Sequence, residues 1–381
     1  MRVLIDYRPA LRERTGVGEY THELVRALAR AKTLDLTVFS SSWRDRLSPD
    51  DPDLQGVTAI DRRVPVRLLN LLWHRLGWPG AEMLTGRTFD VTHSPHPLLL
   101  PSRDAAQVVT IHDLSFLDSA DGSRADVRRD YPALVHAHAG RADRIVVSSR
   151  YAAGEVARRL GVPPAKIALC PPGAPSWPPR QAPPKPGYVL FMGTIEPRKN
   201  VGALLDAYEQ LLNRPAEAGR DGDHEGLLPE LVLAGKATPA AREWLDRLEH
   251  PPLRGVVRHL GYVDADRRRS LYEGARMLVL PSLDEGFGLP VLEAMATGVP
   301  VVAANRGALP EVVGGAGPLI DPDRPADLAD AIRKILADDE FAGACVSKGL
   351  ARAREFQWAE TARLMCGVYQ AAIEHKRCAS A

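Results

Sequence analysis

Ala275-Arg-Met-Leu-Val-Leu-Pro-Ser-Leu-Asp-Glu-Gly-Phe-Gly-Leu-Pro-Val-Leu-Glu-Ala-Met-Ala-Thr-Gly-Val-Pro-Val-Val-Ala-Ala304 contains a strand, a turn, a helix and a second strand. Ala275 to Leu280 is a short apolar run of the kind that fills a buried strand. Pro290 suits a first helical turn, where its missing N–H has no intrahelical partner. Gly298 can close that helix, and Val299 to Ala304 reads as the next strand. Gly286 and Gly288 lack a Cβ, so a bound group can come close to the backbone. The helix start offers free N–H groups and a partial positive charge. Glu285 lies before this anion seat and Glu293 on the helix after it. Phosphate oxygens would take the amides, and sugar or ribose hydroxyls would donate to the carboxylates. A phosphorylated sugar is the ligand class this segment fits.

The same alternation runs through the whole chain. Val3-Leu-Ile5, Leu36 to Phe39, Val91-Thr-His93, Val108 to Ile111 and Ile145-Val-Val147 read as buried strands in the first half. Tyr188 to Met192, Leu231 to Ala234, Val256 to Leu260, Met277 to Leu280 and Val299 to Val302 read likewise in the second. Apolar strands separated by helical patterns predict α/β architecture with doubly wound parallel sheets covered on both faces. A chain of 381 residues is long for one core and predicts two such domains. The proline-dense stretch from Pro171 to Gly187 can be neither helix nor central strand. We therefore expect an amino-terminal domain over 1–173, a linker over 174–187 and a carboxyl-terminal domain over 188–357. A last helix, over about 358–381, is expected to pack near the domain junction, against a surface the sequence does not specify. Two facing domains would place their crevices at the carboxyl ends of both sheets.

Composition narrows the function. A formal net charge of +1 offers no basic field for nucleic acid. The cysteines Cys170, Cys345, Cys366 and Cys378 are far apart, which argues against a disulfide framework or zinc site and fits a reducing, cytoplasmic setting. The first residues turn polar at Asp6, predicting no signal peptide. No run of about 18 apolar residues predicts a membrane span. Arg67 to Trp78 is apolar with basic flanks; such a stretch is more often a core helix, but it also fits peripheral contact with a membrane surface or lipid-linked acceptor. Gly235-Lys236-Ala237 lacks the Ser or Thr of a phosphate loop. The acid pairs at Asp51/Asp53, Asp264/Asp266 and Asp321/Asp323 are ordinary loop chemistry, and no metal is assigned.

Three further constellations sit where such sheets place ligands. Gly16-Val-Gly18 follows the first strand and precedes a helix with Tyr20, Leu24, Leu28 and Ala31 on one face; it fits a ligand loop or a plain glycine turn, and lacks the third glycine of a dinucleotide fingerprint. Gly193 ends a strand, and Arg198 and Lys199 stand just before a helix starting near Asn200 or Val201. They could neutralise a leaving diphosphate, or form a solvated basic loop. His112 and Asp113 stand at a strand's carboxyl end, where a histidine could bind a sugar hydroxyl, move a proton, or serve structure alone.

Taken in order, these segments resemble the retaining glycosyltransferases of glycosyltransferase family 4. Glu285 to Glu293 matches that family's signature of two glutamates separated by seven residues. Gly261-Tyr-Val263, Pro281-Ser282, Gly298 to Val302 and Leu309 to Val312 fall around it in the expected order. The resemblance implies the GT-B fold, two facing Rossmann-like domains with an interdomain cleft, and retention at the anomeric carbon without a metal or cofactor. It implies that Arg198 and Lys199 hold the donor diphosphate, and that Phe287, Gly288 and Leu289 offer amides to donor phosphate or sugar. Glu285 would bind the transferred sugar, Glu293 the ribose, and Val263 would lie by the base. Gly193 belongs to the phosphate-binding stretch. Gly16 and Gly18 would belong to the amino-domain loop facing the diphosphate, and His112 would lie beside the sugar. Thr194 stands where many relatives carry arginine, and Pro171-Pro-Gly173 where many carry Pro-Asn-Gly. The expected activity is hexosyl transfer from GDP-mannose or a UDP-sugar to a hydroxyl of a glycan, lipid-linked or small-molecule acceptor. The alternatives are an epimerase or phosphorylase on the same plan, or a non-catalytic sugar-nucleotide-binding subunit. Oligomeric state is not legible.

Overall fold

The computed structural model describes residues 1–11, 14, 16–43, 45–47, 51–117, 131–213 and 228–380. The chain forms two units, one of 1–173 with 356–381 and one of 174–355. In the first unit the strands are β1 (Arg2–Asp6), β2 (Asp35–Ser41), β3 (Thr58–Arg62), β4 (Val91–Ser94), β5 (Ala106–Thr110), β6 (Arg144–Val147) and β7 (Ile167–Leu169). Every pairing is parallel, in the order β3-β2-β1-β4-β5-β6-β7. Among the described residues, its helices before the second unit are α1 (Gly16–Ala31), α2 (Val66–Leu76), α3 (Ala81–Thr85), α4 (Tyr131–Arg141) and α5 (Arg150–Leu160). The second unit has β8 (Tyr188–Met192), β9 (Leu231–Ala234), β10 (Val257–Gly261), β11 (Ala275–Leu280), β12 (Val301–Ala304) and β13 (Leu319–Ile320). They run parallel in the order β10-β9-β8-β11-β12-β13. Its helices are α6 (Val201–Asn213), α7 (Arg242–Arg247), α8 (Ala265–Glu273), α9 (Leu289–Thr297), α10 (Leu309–Val313), α11 (Pro325–Ala337) and α12 (Asp339–Ala353).

Both sheets reverse direction of growth beside their first strand. In the first unit this happens between β1 and β4, and in the second between β8 and β11. The loops leaving two such neighbours part to opposite faces, which opens a crevice at their carboxyl ends. Asp6 and Ser94 therefore end the strands of one crevice, and Met192 and Leu280 those of the other.

The ten strands read from the sequence are present, and β3, β7 and β13 are additions. All three are sheet edges: β3, Thr-Ala-Ile-Asp-Arg, is mixed in polarity, while β7 and β13 are apolar but only three and two residues long, too short to read as strands. β12 begins at Val301 rather than Val299, because Pro300 supplies only its carbonyl, accepting from Leu278 N at 2.9 Å. Gly16 and Gly18 lie inside the first turn of α1 rather than before it. On that helix Tyr20, Leu24 and Leu28 are buried as the spacing predicts, but Ala31, at its frayed end, is exposed. α2 is not the buried core helix that its composition favours: Leu69 and Trp73 face inward while Leu68, Leu71 and Leu76 are exposed.

One last helix, α13 (Trp358–Ser380), returns to the first unit and packs along α1. Met365, Tyr369 and Ala372 are fully buried there among Val3, Ile5, Leu24 and Val108. Tyr369 Oη lies 2.8 Å from His93 Nδ1, and His93 Nε2 lies 2.9 Å from Thr110 Oγ1. His93 is wholly buried, and burial, aided by the nearby His112 and His96, lowers its pKa from 6.5 to about 3. Below pH 6.5 the unfolded chain takes up a proton here that the folded chain refuses until about pH 3. The contribution is full above 6.5 and is lost as pH falls through that window, on the order of a few kcal/mol. We predict that the urea midpoint falls between pH 6.5 and 3 and that His93→Gln flattens this slope. Equal slopes in the two proteins would refute the assignment.

Candidate active site

β8 ends at Met192, and Gly193 follows with φ +151°. A Cβ built on the neighbouring Gly235 would lie 1.9 Å from the carbonyl oxygen of Gly193, so these two strand ends pass with room for backbone alone. A short 3-10 turn, Pro197–Lys199, then carries two cations back toward the end of β11. It is closed by Asn200 in the left-handed region at φ +55°, whose side chain donates to the Pro322 carbonyl at 2.8 Å. Leu283 N donates to the Arg198 carbonyl at 2.8 Å, which ties the loop after β8 to the loop after β11.

Glu285 is where those loops meet. Lys199 Nζ and Ser282 Oγ, the latter at 2.8 Å, both donate to its Oε1. Arg198 Nη1 reaches Oε2 at 3.3 Å and the Asp284 carbonyl at 2.8 Å, while Nη2 binds Glu196 at 2.9 Å. Lys199 and Glu285 are both buried. Burial by itself pushes the Glu285 carboxyl up, but Lys199 and Arg198 beside it more than offset this and hold it below its usual range. The site therefore carries a permanent carboxylate inside a cationic collar. The sequence offered the acid and the cations as separate motifs; the crevice joins them. Ser282 is the participant to which the sequence assigned no role, although Pro281-Ser282 was among the segments that matched the family in order.

Three residues beyond Glu285 the chain enters α9. Gly288 caps it at φ +108°, and Pro290 occupies its first turn. Val291 N donates to the Gly288 carbonyl at 3.0 Å, so the helix is wound from its first residues. The start of α9, with Phe287, Gly288 and Leu289, thus stands next in the chain to the Glu285 collar. Glu293 sits one turn further in and is buried; Tyr272 Oη donates to it at 2.8 Å and Arg268 Nε lies 3.7 Å away. Trp177 flanks this pair, 5.9 Å from the Tyr272 ring and 5.7 Å from the Arg268 guanidinium. Val263, buried after β10, follows Gly261 and Tyr262 at the carboxyl end of that strand.

The remaining residues singled out by sequence belong to the first unit. A Cβ on Gly18 would lie 2.6 Å from the Pro9 carbonyl oxygen, so glycine is required there for α1 to pack on the 3-10 turn Arg8–Ala10. Nothing lies within 4 Å of the corresponding point on Gly16. His112 follows β5, half-buried, 4.7 Å from Tyr20 and edge-on to it. Its Nε2 lies 3.2 Å from the Pro95 carbonyl, which can only accept, so Nε2 carries the proton and Nδ1 is left as an acceptor. Burial outweighs Asp113 and lowers the His112 pKa to about 4.

A second ionic cluster escaped the sequence. Asp6, fully buried at the end of β1, accepts from Arg8 Nε at 2.8 Å and Nη2 at 2.6 Å, and from His96 Nε2 at 3.1 Å. Arg8 Nη1 donates to Asn70 Oδ1 at 2.8 Å, and the guanidinium lies 4.4 Å from the Trp73 ring centre. Burial raises the Asp6 carboxyl, but Arg8 and His96 bring it far below the normal range. Its signal was an acid closing a strand with an arginine two residues later, next to the switch point.

Comparison with known proteins identifies the lineage. A model described as Glycosyltransferase Family 4 matches residues 14–175, and one described as Glycosyl transferases group 1 matches 186–338. The O-antigen chain mannosyltransferase B of Escherichia coli is 32% identical, over 94% of this chain and 96% of that protein. The chain belongs to glycosyltransferase family 4. A D-inositol 3-phosphate glycosyltransferase of Acidothermus cellulolyticus is 28% identical over 98% of this chain and 89% of that protein. Among solved structures, sucrose-phosphate synthase from Thermosynechococcus elongatus superposes with a TM-score of 0.74 at 22% identity, over 97% of this chain and 98% of that one. WaaG, a glycosyltransferase of lipopolysaccharide biosynthesis, superposes with a TM-score of 0.69 at 16% identity, over 95% and 98%. The fold is GT-B, as the resemblance implied, and this family 4 chain is a nucleotide-sugar-dependent glycosyltransferase that moves a hexose to an acceptor hydroxyl. Among the described residues no group of three or more His, Cys, Asp or Glu side chains could hold a metal ion, and no helix is long and apolar enough to cross a membrane.

Glu285 and Lys199 depend on each other for burial. We predict that Glu285→Ala and Lys199→Ala each lower stability by about 1–3 kcal/mol, and that the double variant loses less than the sum. Urea unfolding of the four proteins closes this cycle; strictly additive losses would show that the two charges do not act together.

Proposed function

We propose that this enzyme transfers mannose from GDP-mannose, with retention at the anomeric carbon, to a hydroxyl of a growing glycan or lipid-linked acceptor. The observation that carries this reading is the Glu285–Lys199–Arg198 cluster at the start of α9, in a chain whose near-full-length relative is a mannosyltransferase. In this reading the diphosphate is held by Lys199, Arg198 and the amides of Phe287, Gly288 and Leu289. These groups are fixed before substrate arrives, so they stabilise the charge that grows on the leaving phosphate without reorganising. Glu285 keeps Oε2, which faces the more distant Arg198, to accept from hydroxyls of the transferred sugar. Ser282 and Lys199 hold its other oxygen, so the carboxylate is oriented as well as ionised. Glu293, pinned by Tyr272, would take the ribose, and Val263 would lie against the base. Gly193 would leave room for the diphosphate at the end of β8. On the acceptor side, the neutral His112 would offer Nδ1 to a sugar hydroxyl, and Gly16 and Gly18, in the first turn of α1, would leave room for the donor diphosphate. The same reading places the protein in the cytoplasm, in peripheral contact with a membrane through the region of Arg67 to Trp78.

Substituting Lys199→Ala is expected to lower kcat about 100-fold or more with a smaller change in KM, since its charge acts most strongly on the departing phosphate. Thermal-shift measurements with GDP, UDP and their sugars test the donor. GDP and GDP-mannose should raise the melting temperature, and UDP should not. Selective stabilisation by UDP would overturn the mannosyl reading while leaving a family 4 transferase. The configuration of the product linkage, read by NMR, tests retention.

A further inference from the structure

α2 and the loop after it present a surface apart from the residues assigned to the donor. The inner face of α2 is firmly anchored: Leu69 and Trp73 are buried, Asn70 binds Arg8, and Trp73 Nε1 donates to the Pro79 carbonyl at 2.9 Å. Gly77 turns the chain in the left-handed region at φ +61°, leaving Trp78 beside the end of the helix. The outer face is apolar. Leu68 is 48% exposed, Leu71 54%, Leu76 69% and Trp78 51%, and Met83 on α3 is 63% exposed. Arg62 Nε donates to the Leu84 carbonyl at 2.6 Å, which ties β3 to α3. A fixed helix that keeps this much apolar surface in water marks an interaction site.

Charge identifies the occupant. Residues 62–81 contain four arginines, Arg62, Arg63, Arg67 and Arg75, and no acidic residue, the nearest acids being Asp61 and Glu82 at either end, in a chain whose net charge is only +1. All four are exposed. Leucines on the outside of a helix with arginines among them, and an exposed tryptophan at its end, match the chemistry of a bilayer boundary. The leucines enter the acyl region, the indole sits at headgroup level, and the guanidinium groups meet lipid phosphates. A protein partner would face the same leucines, but nothing in it would require a segment without a single acid.

We propose that α2 and Trp78 form a docking surface for bilayers bearing anionic headgroups. This deepens the peripheral contact proposed above by naming the surface and the lipid class. Because Asn70 and Trp73 of the same helix hold Arg8, docking would set the carboxyl ends of β1 and β4 close to the membrane plane.

Flotation of the full chain with phosphatidylcholine vesicles, with and without phosphatidylglycerol, tests this. The wild type should bind the anionic vesicles and leave the neutral ones largely unbound. Leu68→Ser with Leu71→Ser, and separately Arg63→Glu with Arg67→Glu, should each weaken binding about tenfold or more. Each variant should keep the wild-type melting temperature and its shift with GDP, which separates loss of docking from misfolding. If no nucleotide shifts any of the proteins, the donor reading fails while the vesicle result still stands on its own. Failure of the wild type to float with anionic vesicles, or variants that bind them as well as the wild type, would overturn the proposal. So would a wild-type dimer in sedimentation that the leucine variants convert to monomer, because the face would then belong to a second copy of the chain.

Discussion

A buried carboxylate needs compensation, and the arrangement that compensates Glu285 organises the whole second unit. Lys199, Arg198 and Ser282 come from loops after two different strands, β8 and β11, and they converge only because the sheet order reverses between those strands. The close passage of Gly193 and Gly235 and the bond from Leu283 to Arg198 hold the loops at the spacing this convergence requires. The cluster therefore couples fold to electrostatics: charges that would be costly to bury singly become tolerable together, and in the proposed reading the cations would also meet the donor diphosphate.

The first unit solves the same problem at its own switch point. Asp6 at the end of β1 is held by Arg8 and by His96 from the segment after β4, as Glu285 is held across β8 and β11. The two clusters differ in how they are occupied. The Asp6 cluster turns its cation toward Asn70 and Trp73 of α2, and so braces the surrounding elements. The Glu285 cluster sits immediately before the start of α9, where the proposed donor diphosphate would bind.

Much of this was legible because central parallel strands and glycine-rich turns leave strong local marks. Central strands such as Leu231–Ala234 are apolar from end to end, and Gly288, Pro290 and Gly298 take the cap and turn positions their chemistry favours. What escaped is what depends on the third dimension. β3, β7 and β13 are edges, one of mixed polarity and two of only three and two residues, so none leaves a run long enough to read. Asp6 and His96 are ninety residues apart, and no spacing rule connects them. α2 has the composition of a core helix, and only the packed structure shows that three of its five leucines face water. The family resemblance put Glu285, Lys199 and Arg198 in one donor site, but their direct ion pairing appears only in the packed structure.

α13 carries a consequence for biosynthesis. The first unit is closed by a helix that the ribosome makes only after every residue of the second unit, and that helix supplies Met365, Tyr369 and Ala372 to the hydrophobic interior around β1 and α1. During translation the earlier-made half must wait, with an uncovered apolar seam, while the later-made half already holds all of its own strands and helices. Order of synthesis and order of completion are thus inverted, and the nascent polypeptide is most vulnerable to association with its neighbours on the polysome until its final turns emerge.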